Sequence, residues 1–266
     1  MGRIAIIAGA GALPGAVAVA LGRAEVFAPE GVAVDLPAER FRFERLVPFL
    51  RHLAERDVTG VVLAGAMTRP SLDPALFDPA TAQLVPRLLG AMQAGDDATL
   101  REVIAVIEES GLEVLGIDRV APELIPGPGI LGAIRPQPAD ERDVARAAAI
   151  VAALGAVDVG QGCVVAGGLC LAAESLPGTD AMLDWVAATA GRLRPQGARG
   201  VIYKAPKPGQ DRRADLPALG PQTVRKAAAA GLAGVAWQAG GVLLLDREEL
   251  LAEAERLGLF LWSREP

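Results

Sequence analysis

Gly200–Val224, GVIYKAPKPGQDRRADLPALGPQTV, passes from an apolar strand through a proline-broken polar loop to a helix start, and this order points to an α/β fold. Val201, Ile202 and Tyr203 are β-formers. Pro206 and Pro208 cannot continue a central strand, Gly209 allows a positive φ, and Pro221 suits the first turn of a helix. The loop carries Lys204, Lys207, Gln210, Asp211, Arg212, Arg213 and Asp215. Such cations suit phosphate oxygens, and such carboxylates can hold Mg²⁺ or accept a proton from water. A solvated surface loop has a similar composition. The prolines favour an organised site, because a stiff segment loses less entropy when it holds several charges in one arrangement.

Upstream, Arg3–Ala8 is a short apolar run, Gly9–Ala12 a turn and Leu13–Leu21 a helix. Arg3, the apolar run and the AVAVA tract also imitate a signal peptide, but Gly9, Gly11 and Pro14 favour strand, turn and helix. The turn departs from the dinucleotide fingerprint, since Pro14 replaces the third glycine and no acidic residue stands where a second strand would end. No nicotinamide cofactor is expected. The amides of Gly9, Gly11 and Ala12 are candidate phosphate or nucleotide contacts, because helix N-termini favour anions. Glu25–Ala28, a helix over Glu44–Arg56 and the buried strand Gly60–Ala64 continue the alternation, which predicts a parallel sheet. Arg69, in the loop after that strand, is a candidate phosphate or uridine contact. Helices are predicted over Pro79–Gln93 and Asp96–Ser110, with Asp96 or Asp97 as a cap, although the pair also suits a cation or a ribose. Leu112–Ile117 reads as the last strand of this unit.

Pro122–Pro138, PELIPGPGILGAIRPQP, reads as a linker and sets a boundary between domains 1–131 and 132–266. Beyond it are predicted a helix over Ala139–Leu154, a hairpin of Asp158–Ala166 and Leu169–Ala173 turned by Gly167-Gly168, and a helix over Thr179–Leu193. A strand over Val235–Leu245, an N-cap pair of Asp246 and Glu249 for Arg247–Leu257, and a final strand Leu259–Trp262 follow. The expected architecture is two α/β domains, an N-terminal Rossmann-like parallel-sheet unit and a C-terminal mixed α/β unit.

With 266 residues, 52% hydrophobic and 22% charged, the chain can bury one large or two modest cores. A net charge of −6 argues against a nucleic-acid partner. The spacing of Cys163 and Cys170 fits neither a zinc site nor a thioredoxin motif, so both read as buried small hydrophobes. The single histidine, His52, lies in an amphipathic helix, which excludes His-based triads. Acid and base work would fall to carboxylates or lysine.

The segments IIAGAGALP (Ile6–Pro14), GDDATLREV (Gly95–Val103), DVGQGCVV (Asp158–Val165), PGTDAML (Pro177–Leu183) and KPGQDRRADLPALGPQTV (Lys207–Val224) together resemble the LpxI family of UDP-2,3-diacylglucosamine pyrophosphatases. The resemblance implies hydrolysis of UDP-2,3-diacylglucosamine to UMP and 2,3-diacylglucosamine 1-phosphate (lipid X) in lipid A synthesis, with a divalent cation, usually Mg²⁺. It goes with a cytoplasmic location, transient contact with the inner-membrane surface, and room for a homodimer. A noncatalytic module that binds a UDP-sugar or phosphate is the competing reading.

Asp215, Asp211, Lys207 and Arg213 are the candidate catalytic residues. Gly9, Gly11, Ala12, Arg69, Asp97, Thr179, Lys204 and Gln210 are candidate substrate contacts, and Asp215, Asp180 and Asp211 candidate metal ligands. Asp180 could instead serve as first-turn charge against the helix dipole, and Asp211 could simply pair with a neighbouring arginine. Asp215 precedes Leu216-Pro217 in backbone that proline keeps extended, which favours it for metal binding or for orienting water. Glu174 is a weaker candidate for the cation.

Overall fold

The computed structural model describes residues 2–67, 71–213 and 215–266. It forms two compact units: Met1–Pro122 with Asp211–Asp215, and Glu123–Gln210 with Leu216–Pro266. The N-terminal unit runs β1 (Arg3–Ala8), α1 (Leu13–Leu21), β2 (Glu25–Pro29), β3 (Glu39–Phe41), α2 (Leu46–Glu55), β4 (Val58–Ala64), α3 (Pro79–Ala82), α4 (Val85–Ala94), α5 (Asp96–Glu109), β5 (Glu113–Val114) and α6 (Ile117–Val120). Its strands form one sheet in the order β3-β2-β1-β4-β5, and every pair is parallel. The apolar run Arg3–Ala8, expected as a strand, is the central one. Period-2 alternation turns Ala5 and Ile7 toward α2 and α5, where they join Phe27, Phe49, Leu53, Val61, Ile104 and Ile107 in one core. Phe41 stacks on Phe49 at 4.0 Å between ring centroids.

Four expectations for this unit change. The strand expected over Leu112–Ile117 is only Glu113–Val114, and Ile117 already opens α6. The edge strand β3 carries Arg40 between Glu39 and Phe41 and was too short and polar to stand out. The helix expected over Pro79–Gln93 is broken at Gln83-Leu84 into α3 and α4. Asp96 and Asp97 do not cap α5: Gly95 is the N-cap at φ 123°, and both acids lie in the first turn, where they favour the helix dipole.

The C-terminal unit runs β6 (Gly129–Leu131), α7 (Pro138–Gly155), β7 (Gly162–Ala166), β8 (Leu169–Ala173), α8 (Gly178–Thr189), β9 (Val201–Lys204), β10 (Ala218–Leu219), α9 (Pro221–Ala229), β11 (Gly234–Gln238), β12 (Leu243–Leu244), α10 (Arg247–Leu257) and β13 (Phe260–Arg264). Six strands form a mixed sheet, β6-β13-β11-β9-β7-β8, parallel among β9, β11 and β13 and antiparallel elsewhere. Cys163, Val165, Val201 and Tyr203 face α7, and Val164, Ile202, Val235 and Trp237 face the core built with α8, α9 and α10. Helices thus cover both faces, as the apolar strands require. Buried Asp143 of α7 accepts the backbone N–H groups of Gly167 and Gly168 at 2.9 and 2.7 Å and so anchors the β7–β8 turn.

The stretch read as a linker contributes β6, which pairs antiparallel with β13, so the division falls at Pro122/Glu123, ahead of the expected 131/132. The strand expected over Val235–Leu245 ends at Gln238, and Leu243-Leu244 pairs instead with β10 in a separate two-stranded sheet. Asp246 precedes α10 in the left-handed region (φ 48°) without a side-chain cap, and Glu249 bonds to Arg225. Among the described residues no helix is long and apolar enough to cross a membrane.

Cys163 is buried as expected, but Cys170, on the paired strand β8, is exposed. The neighbouring Cys170 and burial push the Cys163 thiol up, and the neighbouring Cys163 holds Cys170 down to about 6. A lowered pKa raises the thiolate fraction of exposed Cys170, and thiolate is the nucleophile. Iodoacetamide at pH 7 should label Cys170 well before Cys163, and Cys163→Ala should move the labelling of Cys170 to higher pH. Equal labelling of both cysteines, read by peptide mass, would contradict this pairing.

Candidate active site

In the N-terminal sheet the strand order reverses between β1 and β4, and open α/β sheets bind ligands outside the carboxyl ends of strands at such a point. Gly9 donates to Ala64 O at 2.7 Å, while Ala10 and Ala66 exchange bonds of 2.8 and 2.9 Å. A Cβ on Gly9 would lie 2.4 Å from Ala66 O, so the two strand-end loops cross only because glycine is there. Gly9 therefore serves close approach, and its N–H is already engaged. Gly11 (φ 93°) and Ala12 lead into α1, whose first turn carries the amides suited to an anion. Arg69 lies outside the described residues.

Asp211–Asp215 groups with this same unit. Asp97, Arg101 and Glu108 are spaced to share one face of α5. Asp97 pairs with Arg101 at 2.9 Å, and Glu108 pairs with Arg213 at 2.6 Å. Arg213 also grips Asp211, with Nη2 at 2.7 Å from Oδ2 and both Nε and the backbone N at 3.0 Å from Oδ1. The side chain of Arg213 foremost, then its backbone N–H, holds the Asp211 carboxyl below the ordinary carboxylate range, against the opposing effect of burial. Asp211 thus makes the arginine pair weighed for it in the sequence. A Cβ on Gly116, just past β5, would lie 3.6 Å from Arg213 Cγ, so the segment reaches the carboxyl end of the sheet. The Asp215 N–H points to Asp211 O at 3.4 Å.

In the C-terminal unit Lys204 ends β9 at 5% exposure, and its Nζ donates to Thr179 Oγ1 at 2.6 Å. Thr179 donates to Glu174 Oε2 at 2.9 Å, and that oxygen lies 3.7 Å from Nζ. Lys207 Nζ meets Asp158 at 2.6 Å, and its backbone N donates to Gln210 Oε1, which also accepts from Gln161 Nε2 at 3.1 Å. Asp180 lies in the first turn of α8. Asp158 and Gln161 were not expected as partners; both lie in DVGQGCVV (Asp158–Val165), the segment that carried their signal.

For Mg²⁺ the donor chemistry fits. That ion takes one or two carboxylates and completes its shell with water and substrate phosphates. Asp211 and Asp215 lie in one segment, and Asp211 is engaged by Arg213. Among the described residues no three His, Cys, Asp or Glu side chains form a metal group on their own.

Residues 3–124 match the model of the LpxI N-terminal domain, and residues 127–262 that of the LpxI C-terminal domain. The chain is also 38% identical over 280 residues to a protein of Caulobacter vibrioides named UDP-2,3-diacylglucosamine pyrophosphatase LpxI, covering 100% of this chain and 99% of that one.

Proposed function

The chain belongs to the LpxI family, and from that premise we propose that it hydrolyses the diphosphate of UDP-2,3-diacylglucosamine to UMP and 2,3-diacylglucosamine 1-phosphate in lipid A synthesis. The observation that carries the reading is 38% identity along the full length of a protein named as a pyrophosphatase. Water adds to one phosphorus, the bridging P–O bond breaks, and the proton of the attacking water passes to a base. The chemistry asks for an aligned water, a cation against the diphosphate charge, and donors to the nonbridging oxygens.

In this proposal Asp215 binds the cation or orients the water, with Asp211 and Asp180 as further candidate ligands. The cation, when bound, offsets phosphate charge and acts as a Lewis acid. Lys204, Thr179, Lys207, Gln210 and Arg213 address phosphate oxygens, and Gly11, Ala12 and Asp97 serve the nucleotide. The exposed partner Asp158 holds Lys207 by a pair of the kind that contributes little in water, so its exchange for phosphate costs little, whereas Arg213 is also held by Asp211. The acylated substrate brings the protein to the membrane surface transiently.

Excess EDTA should abolish UMP release, and added Mg²⁺ should restore it, because carboxylates and a charged diphosphate repel each other without a counter-charge. Full turnover in EDTA would remove the cation from the reading.

A further inference from the structure

Gly162, Lys204 and Glu174 stand in a row across three neighbouring strands. Gly162 pairs in register with Lys204 of β9, and on its other side Gly162 O accepts the N–H of Glu174, just past β8, at 2.8 Å. A Cβ at position 162 would lie 2.8 Å from Glu174 Oε2 and 3.4 Å from Lys204 Cγ. The bare glycine therefore leaves a gap in the middle strand, through which the carboxylate of one outer strand reaches the ammonium of the other. Thr179 closes the ring: its hydroxyl proton goes to Glu174, which turns its lone pairs toward Lys204.

A buried ammonium needs a counter-charge and hydrogen-bond acceptors to stay charged. Here both come from groups whose orientation is fixed by the sheet and by the first turn of α8. Asp180, the neighbour of Thr179, is a candidate metal ligand in the reading above; Glu174 has a different task.

We propose that Glu174 is a positioning residue that acts through the gap at Gly162, holding the Lys204 ammonium and the Thr179 hydroxyl in the one arrangement that receives a phosphate of the substrate. This rests on the pyrophosphatase reading and on Lys204 as a phosphate donor. Because the group is fixed before substrate arrives, its contribution falls on the charged transition state more than on binding.

The test is a double-mutant cycle of Glu174→Gln and Lys204→Met, read in both kinetics and thermal unfolding. Glu174→Gln should lower kcat about 10-fold or more with KM changed less, the scale of a weakened charge-assisted contact. Lys204→Met should lower kcat further, and the double variant should be no slower than Lys204→Met alone. Glu174→Gln should also lower Tm, by less in the Lys204→Met background. Gly162→Ala, which obstructs the gap while leaving all three partners, should mimic Glu174→Gln in kcat. Additive kinetic effects, or wild-type kcat in Glu174→Gln or Lys204→Met, would overturn the proposal even if the stability coupling appears, since the ring would then be a structural ion pair. If the unaltered protein releases no UMP while the Tm coupling holds, the failure belongs to the pyrophosphatase reading, and the positioning role falls with it.

Discussion

Alanine in place of Asp215 should lower turnover at least about 10²-fold, the lower range for a positioned acid, base or metal ligand, with substrate affinity nearly kept. The loop should keep its shape in the variant, because Arg213 ties the segment to Asp211 and Glu108. Whether Asp215 binds the cation or aligns water, it acts on the charge that develops in the transition state. Initial rates at saturating substrate, beside an unchanged melting curve, check this. Asp215→Asn sharpens it, since asparagine keeps size and hydrogen bonding but loses the charge. Near-wild-type turnover of Asp215→Asn at saturating Mg²⁺ would make Asp215 a structural loop residue and pass the role to Asp211 or Asp180.

The largest expected stability loss is at Trp237. It is fully buried on β11, packs in the core shared with Ile202, Val235 and Leu219, and lies in register beside Lys204 of β9. Trp237→Ala should cost about 3–5 kcal/mol, the range for deleting a buried large aromatic side chain and leaving a cavity. The unfolding midpoint of the C-terminal unit should fall by roughly 10 °C. Trp237→Phe, which leaves a smaller void, should lose much less. A midpoint shift of only a degree or two in calorimetry of Trp237→Ala would mean that this core does not hold β9 in place.

The sequence was most readable where periodicity and turn chemistry agreed. Arg3–Leu21 read as strand, turn and helix, and the Gly167-Gly168 turn read as a hairpin, because local residues alone decide both. It was least readable where a partner far along the chain decides. Gly129–Leu131 looks like proline-rich linker until β13 offers it an edge. Asp246 and Glu249 have the spacing of a capping pair, but the chain enters α10 in a left-handed turn and Arg225 takes the glutamate. At the site, Lys204 and Thr179 were singled out by residue type. The bond between them spans 25 positions, and the link to Glu174 depends on a glycine in a third strand. Likewise the composition of Asp211–Asp215 suggested phosphate chemistry, but nothing in it signalled that the segment would group with the N-terminal sheet.

Hydrolysis is the central claim, and product analysis measures it most directly. The full chain, at catalytic amounts with Mg²⁺, is incubated with UDP-2,3-diacylglucosamine, and UMP and the acylated sugar phosphate are quantified over time. Equal amounts of UMP and 2,3-diacylglucosamine 1-phosphate are expected over many turnovers, with a rate that collapses in Asp215→Ala. Substrate that binds the protein but is recovered intact would contradict that claim and leave a UDP-sugar-binding module in place of an enzyme.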